Sequence, residues 1–365
     1  MVTTVLLVAT VACRGERDGL ADGRAPRDSA TYAYREVRVR VDSLVTLAGE
    51  LAMPAPAAAR AAAKAAASAA ASADENTNAH AIENGSPHAP RAAVLIIGGS
   101  GPQDRDGARP ELPGYRPWVE LRDALLRAGV AVLRLDDRGT GASSGRFAGA
   151  TTDDFATDAW AALAWLAQQP GVAPARIALV GHSEGALVAL LVAQAHPDAV
   201  RALVLLAAPS RTGRDIARWQ RAALVASDGA RWPPSQRRAA LAAADSAADA
   251  AAQSEPWLRR WFALDPRVVA QSVHAPALLV HGGSDRQVPP SQADELAAAL
   301  RGGGASPVQV LRVVDTNHLL LADADGDPQG YVRLRERRVQ PAVLTAVVSF
   351  LSTHLITAPG ANRAH

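Results

Sequence analysis

A serine, an aspartate and a histidine, each just after a strand-like run, are the residues of this chain best placed to do chemistry together. Ser183 stands in Gly181-His-Ser-Glu-Gly185, between the apolar run ending at Val180 and an Ala/Leu/Val-rich stretch that reads as a helix to about His196. Strand, Gly-x-Ser-x-Gly and helix together force a serine hydroxyl out at a sharp turn, where side chains at the two glycine positions would clash. Ser183 is therefore the candidate nucleophile. A serine needs a base, an acid to orient that base, and donors for the oxyanion. His318, in Asp315-Thr-Asn-His318-Leu, lies just beyond the run ending near Val314 and can reach over the carboxyl edge of a sheet as the base. Asp285, in His281-Gly-Gly-Ser-Asp285-Arg-Gln-Val-Pro289, follows the preceding run directly and is suited to accept the His318 N–H and fix its tautomer. Asp315 competes for that role, but three residues from His318 in the same loop it reads as a turn carboxylate. His182 belongs to the serine turn and His281 ends a strand, while His274, His354 and His365 have no catalytic context. For the oxyanion, the backbone N–H of Glu184 and that of Ser100, in the glycine-dense stretch Gly98-Gly-Ser-Gly-Pro102, are the proposed donors. The Glu184 carboxylate would favour the positive end of the helix it opens.

These residues need a sheet to hold them. Residues 93–97, 130–135, 177–180, 202–206, 277–280 and 308–313 are short, nearly continuous apolar runs of the kind found in strands buried on both faces. Between them lie helical patterns: Trp118, Leu121 and Leu125 on one face, then Phe155 to Leu166, Leu187 to Ala195, and a last helix near Pro341 to His354. The alternation predicts a doubly wound, mostly parallel α/β sheet. Val37 to Val41 alternates and Leu44 to Leu51 follows Asp42-Ser43, which reads as an antiparallel pair at one edge. Between Ala208 and Pro276 the composition is helical, with Trp219, Trp232, Trp257 and Trp261 and no strand-like run; an excursion at the carboxyl ends of strands is the position of a lid.

The chain accordingly divides into a lipoprotein-type signal over 1–13, a tether over 14–30, the strand pair over 31–53, an Ala-rich low-complexity insertion over 54–91, a first core part over 92–210, a helical lid over 211–275 and a second core part over 276–356. The insertion has too few large apolar side chains to offset its ordering entropy by packing. Cys13 is the only cysteine among 365 residues, which excludes an intramolecular disulfide and a Cys-rich metal cluster. It ends the apolar run that begins at Val2, as the lipidated cysteine of a bacterial lipoprotein does, so export to the periplasm or a membrane tether through Cys13 is expected, with a cytoplasmic location as the alternative. A formal net charge of +2 creates no field that would recruit nucleic acid. Asp323-Ala-Asp-Gly-Asp327 does not fit a calcium loop, because aligning Gly326 with the required glycine puts Leu321 and Val332 at ligand positions. The chemistry calls for no metal or cofactor.

The order Ser, Asp, His is that of the α/β-hydrolases. The chain resembles bacterial α/β-hydrolases of the EstD-type carboxylesterase group, with serine aminopeptidase S33-like and acyl-CoA thioesterase-like relatives. The resemblance rests on Leu47-Ala-Gly-Glu-Leu51, Gly99-Ser-Gly-Pro-Gln-Asp-Arg-Asp106, Leu133-Arg-Leu-Asp-Asp-Arg-Gly-Thr-Gly-Ala-Ser143, Gly181-His-Ser-Glu-Gly185, Asp285-Arg-Gln-Val-Pro289 and Asn317-His318-Leu. It departs from the group in the Ala-rich insertion, in a short segment between Ala208 and Pro276, and in Ala186 where a second glycine is common. The resemblance implies the α/β-hydrolase fold with a lid, Ser183, Asp285 and His318 as the triad, Ser100 and Glu184 as oxyanion donors, and a structural role for Asp136-Asp-Arg-Gly139. The expected activity is hydrolysis of a small-molecule carboxylic ester of small or medium acyl chain through an acyl-enzyme. A serine aminopeptidase, an amidase or an acyl thioesterase would use the same residues; a non-catalytic surface binding protein would have no chemical reason to keep all of them.

Overall fold

A computed structural model describes residues 32–54, 90–228 and 232–356. The signal, the tether and nearly all of the Ala-rich insertion lie outside the described residues.

The apolar runs are strands. In β3 (Arg91–Ile97), Ala93 and Leu95 face one core while Ala92, Val94 and Ile96 face the other, so an unbroken apolar run is what a strand covered on both sides requires. The same alternation between the two cores holds for β6 (Ala202–Leu206), for β4 (Ala131–Leu135) before Arg134 and for β7 (Ala277–Gly282) before His281. By contrast β1 (Tyr32–Arg40) alternates, with Val37 and Val39 buried and Arg38 and Arg40 exposed, as suits an edge. It pairs antiparallel with β2 (Thr46–Pro54), and β2 antiparallel with β4. β5 (Val172–His182) begins five residues before the apolar run that signals it, and its register against β3 shifts between Arg91 and Ala93. β8 is Val308–Val313.

The eight strands lie in the order β1-β2-β4-β3-β5-β6-β7-β8, parallel from β4 to β8. Helix α1 (Pro117–Arg127) joins β3 to β4, and α2 (Thr152–Ala167) returns from β4 to β5 past β3. The winding direction thus reverses at β3, and the carboxyl ends of β3 and β5 open a crevice there. One core packs α2, α3 (Glu184–Ala195) and α8 (Gln292–Gly302) on one face; the other packs α1 and α9 (Pro341–Leu351) on the opposite face. Between β6 and β7 run α4 (Gly213–Asp228), α5 (Pro234–Ser254), α6 (Pro256–Ala263) and α7 (Pro266–Ala270).

The Gln103-Asp-Arg-Asp106 stretch and the Asp136-Asp-Arg turn bind one another. Arg105 grips the Asp136 carboxylate through Nε at 3.0 Å and Nη2 at 2.8 Å, and Asp137 accepts the Gln103 N–H at 2.8 Å. Behind them the buried Glu50 carboxylate receives Arg134 at 2.6 Å and Arg122 at 3.2 Å, and Arg134 also holds Asp106. These charged residues fix the loop after β3. Desolvation pushes the Asp137 carboxyl up to about 8, outweighing the bond from Gln103. Because an unfolded aspartate titrates near 3.9, the folded chain holds this proton more tightly, and its contribution to stability falls as pH rises from about 4 to about 8. Asp137→Asn keeps the acceptor for Gln103 and removes the titration. It should flatten the decline of Tm between pH 5 and 8; parallel melting curves for variant and wild type would refute this.

Candidate active site

The turn between β5 and α3 places Ser183 at φ 53° and ψ −118°, a left-handed conformation in which a non-glycine residue is strained. The Ser183 amide donates to the Leu206 carbonyl at 2.9 Å, which ties the turn to β6. Both flanking glycines are required by close approach. A Cβ on Gly181 would lie 2.2 Å from the Gly185 carbonyl oxygen, and one on Gly185 would lie 2.2 Å from that of Gly98. Gly185→Ala must therefore move backbone, and about 1–3 kcal/mol of overpacking cost is expected. Chemical denaturation should show a lower midpoint, and an unchanged midpoint would argue against this packing.

His318 and Asp285 come from the loops after β8 and β7. His318 Nδ1 lies 2.8 Å from Asp285 Oδ2. The other oxygen, Oδ1, accepts the backbone N–H groups of Gln287 at 2.7 Å and Val288 at 2.9 Å. Burial would raise the Asp285 carboxyl, but the imidazoles of His318 and His281 outweigh it and hold it well below the usual carboxylate range. The His318 loop is shaped by Asn317, whose Oδ1 accepts the N–H groups of Leu319 and Leu321 and whose amide donates to Asp323 at 3.1 Å. Asp325 pairs with Arg286 at 2.8 Å and Asp327 accepts the Gln329 N–H, so the acidic run 323–327 spends its carboxylates on loop structure. Asp315 is exposed at φ 49°, outside the buried Asp285–His318 pair.

Two histidines that the sequence leaves without a role are part of this arrangement. His281 is buried with Nε2 3.1 Å from Asp285 Oδ2 and 3.1 Å from the Val288 carbonyl; with two acceptors facing it, that nitrogen carries the proton. His182 is buried under the site, its Nε2 2.9 Å from the His318 carbonyl, so it donates there and steadies the histidine loop. Burial, then the proximity of His318, lowers His182 to about 3, and the ring stays neutral. The spacing of His281 four residues before Asp285 is the one sequence signal for the first; nothing in the sequence marks the second.

Glu184 opens α3, where a carboxylate meets the positive end of the helix. Its side chain is also buried, and Oε1 accepts Thr152 Oγ1 at 2.7 Å and Trp257 Nε1 at 2.7 Å, with the Ser100 side chain also hydrogen-bonded to the carboxylate. Burial raises its pKa against these three bonds. The two residues proposed as oxyanion donors are thus joined through their side chains, and α6 is fastened to them by Trp257. Arg260 of the same helix grips Asp153 at 2.5 and 2.9 Å.

Ser183, His318, Ser100 and Glu184 line one cavity of about 90 Å³, walled by Ile216 of α4 and by Trp257 and Trp261 of α6. The two indoles stack at 5.3 Å. Of the four tryptophans between β6 and β7 these two reach the cavity, whereas Trp232 is exposed. Among the described residues no His/Cys/Asp/Glu cluster has metal-binding geometry, and no helix is long and apolar enough to cross a membrane.

The family model for serine aminopeptidase, S33, matches residues 116–306, just over half of the chain and including Ser183 and Asp285. The chain belongs to the serine aminopeptidase S33 family. An uncharacterized protein of Mycobacterium tuberculosis is 35% identical to this S33 chain over 204 residues, 55% of this chain and 57% of that protein. The match therefore spans little more than half the length of that curated relative. Solved structures with the same fold include an esterase of Pyrococcus furiosus, at a TM-score of 0.56 and 16% identity over 92% of this chain and 96% of that one. Another is Est1E of Butyrivibrio proteoclasticus with ferulic acid bound, at a TM-score of 0.53 and 16% identity over 88% and 100%. At such identities the likeness is one of fold, and with the family match it makes this S33 chain an α/β-hydrolase by architecture.

Proposed function

We propose that this S33-family chain hydrolyses carboxylic esters of small or medium acyl chain through an acyl-enzyme on Ser183, with His318 as general base and acid and Asp285 orienting it. The observation that carries the reading is the Asp285 Oδ2 to His318 Nδ1 contact of 2.8 Å beside a cavity that Ser183 and His318 both line. Ser183 attacks the carbonyl as His318 Nε2 takes its proton. The N–H groups of Ser100 and Glu184 receive the oxyanion, and His318 returns the proton to the leaving alcohol. Water then repeats the cycle on the acyl-enzyme. Helices α4 and α6 act as the lid, and their apolar side chains form the acyl pocket.

An ester is favoured over an aminoacyl amide because an aminopeptidase needs a carboxylate to receive the substrate ammonium. In the cavity the Glu184 carboxylate already takes Thr152, Trp257 and Ser100. A chain-length series of p-nitrophenyl esters should be cleaved with a maximum at short acyl groups, while aminoacyl anilides are cleaved far more slowly. Faster anilide cleavage would move the assignment to the peptidase. Export with lipidation of Cys13, which lies outside the described residues, belongs to the same proposal; mass spectrometry of the mature N-terminus tests it.

A further inference from the structure

The candidate site contains a cation that neither the triad nor the oxyanion donors use. Arg109 follows the clamped 103–106 stretch in the loop after β3 and lines the same cavity as Ser183 and His318. Its neighbours in sequence and space are committed elsewhere: Arg105 to Asp136 and Glu36, Arg134 to Glu50 and Asp106, Arg138 to Asp158. Arg109 differs from them. Among the described residues the one carboxylate near its guanidinium is Glu111, at 3.6 Å, beyond hydrogen-bond range and half exposed to water. The Arg109 side chain itself is 30% exposed.

The acids around the cavity do not neutralise it. Asp285 is held by two histidines and two backbone amides, and Glu184 by Thr152, Trp257 and Ser100. The remaining wall combines the apolar side chains of Ile216, Trp257 and Trp261 with the amides of Gln220 and Gln287. An arginine lining a cleft of mixed polar and apolar character, with its fork of N–H groups free of a bonded carboxylate, presents a bidentate receptor for a planar anion. Its charge is felt inside the site, since it adds to the depression of His182.

We infer that Arg109 selects substrates, and that the esters this site prefers carry a carboxylate in addition to the scissile ester. The inference rests on the ester-hydrolase reading and names the substrate class within it. A second carboxylate could sit on the acyl part or on the alcohol part, and both would meet the same guanidinium.

Two matched pairs separate these cases. Mono-p-nitrophenyl glutarate is compared with p-nitrophenyl pentanoate for the acyl side, and 4-acetoxybenzoate with its methyl ester for the alcohol side, in wild type, Arg109→Gln, Arg109→Lys and Arg335→Gln. Arg335 lines a different pocket and not this cavity, and serves as the control for a change of net charge. In at least one pair, wild type should favour the carboxylate-bearing member by about tenfold or more in kcat/KM, equivalent to about 1.4 kcal/mol. Arg109→Gln should bring that ratio close to one, Arg109→Lys should retain part of it, and Arg335→Gln should leave it in place. Added salt should shrink the ratio, because the guanidinium is partly exposed. Ser183-dependent cleavage of the neutral esters with no preference for either anionic partner would overturn the role of Arg109 alone, as would a preference that survives in Arg109→Gln. Absence of turnover on all four esters would overturn the ester-hydrolase reading and this inference with it.

Discussion

Ser183→Ala is expected to lower kcat for a short-chain p-nitrophenyl ester by on the order of 10⁶ while leaving the protein folded. The size follows from what the hydroxyl does. Without it no acyl-enzyme forms, and His318 has no proton to take. The backbone cost is small, because φ 53° strains alanine as it strains serine. The same conformation in both leaves the cavity and the Asp285–His318 contact intact. Circular dichroism and melting temperature close to wild type, together with the loss of turnover, identify a chemical rather than a structural effect. A variant retaining more than a few per cent of wild-type turnover would remove Ser183 from the mechanism.

Asp285→Asn is expected to lower kcat by about 10⁴, with KM changed much less. The geometry dictates how the amide must lie. Oδ1 of Asp285 accepts two backbone N–H groups, from Gln287 and Val288, so an asparagine keeps its oxygen there and turns its NH₂ toward the histidines. The NH₂ then donates to His318 Nδ1, which must carry a lone pair. The proton of a neutral ring moves to Nε2, and that nitrogen can no longer accept from Ser183. The same NH₂ also confronts the proton on His281 Nε2, whose distance to Oδ2 is 3.1 Å in the wild type. The variant should therefore melt at a lower temperature as well. The wild-type carboxyl, depressed below its unfolded value near 3.9, contributes stability at every pH above that value and loses it only as pH falls through the lower folded value. At pH 5 to 8 that contribution is complete in the wild type and absent in the variant. A KM effect without a kcat effect would contradict the assigned role.

How far the sequence reveals this arrangement depends on whether a residue's role is local. The strands of the parallel region are legible because burial on both faces leaves a continuous apolar run, as in Ala202–Leu206. The extension of β5 back to Val172 is not, since Pro174, Ala175 and Arg176 carry no such signal and pairing with β3 at Arg91 supplies the reason. The serine turn is legible because its glycines are fixed by contacts within and beside it, at 2.2 Å for a hypothetical Cβ. The aspartate and histidine are legible by position after strands. Glu184 is not: its three partners come from α2, from the loop after β3 and from α6, and only the packing of those elements shows that the carboxylate is buried. His182 and His281 escape for the same reason, each bound to an atom of a loop distant in sequence or turned back on itself. Trp257 and Trp261 share a helix face at a spacing of four, whereas Trp219 and Trp232 do not join them, a distinction that composition cannot make.

The most direct test of the account is covalent labelling of the wild-type protein with a fluorophosphonate, followed by intact-mass measurement and peptide mapping. The account predicts one adduct per chain, located on Ser183, absent in Ser183→Ala and formed far more slowly in Asp285→Asn and His318→Ala. A folded protein that takes no label, or an adduct on any other residue that persists in Ser183→Ala, would contradict it.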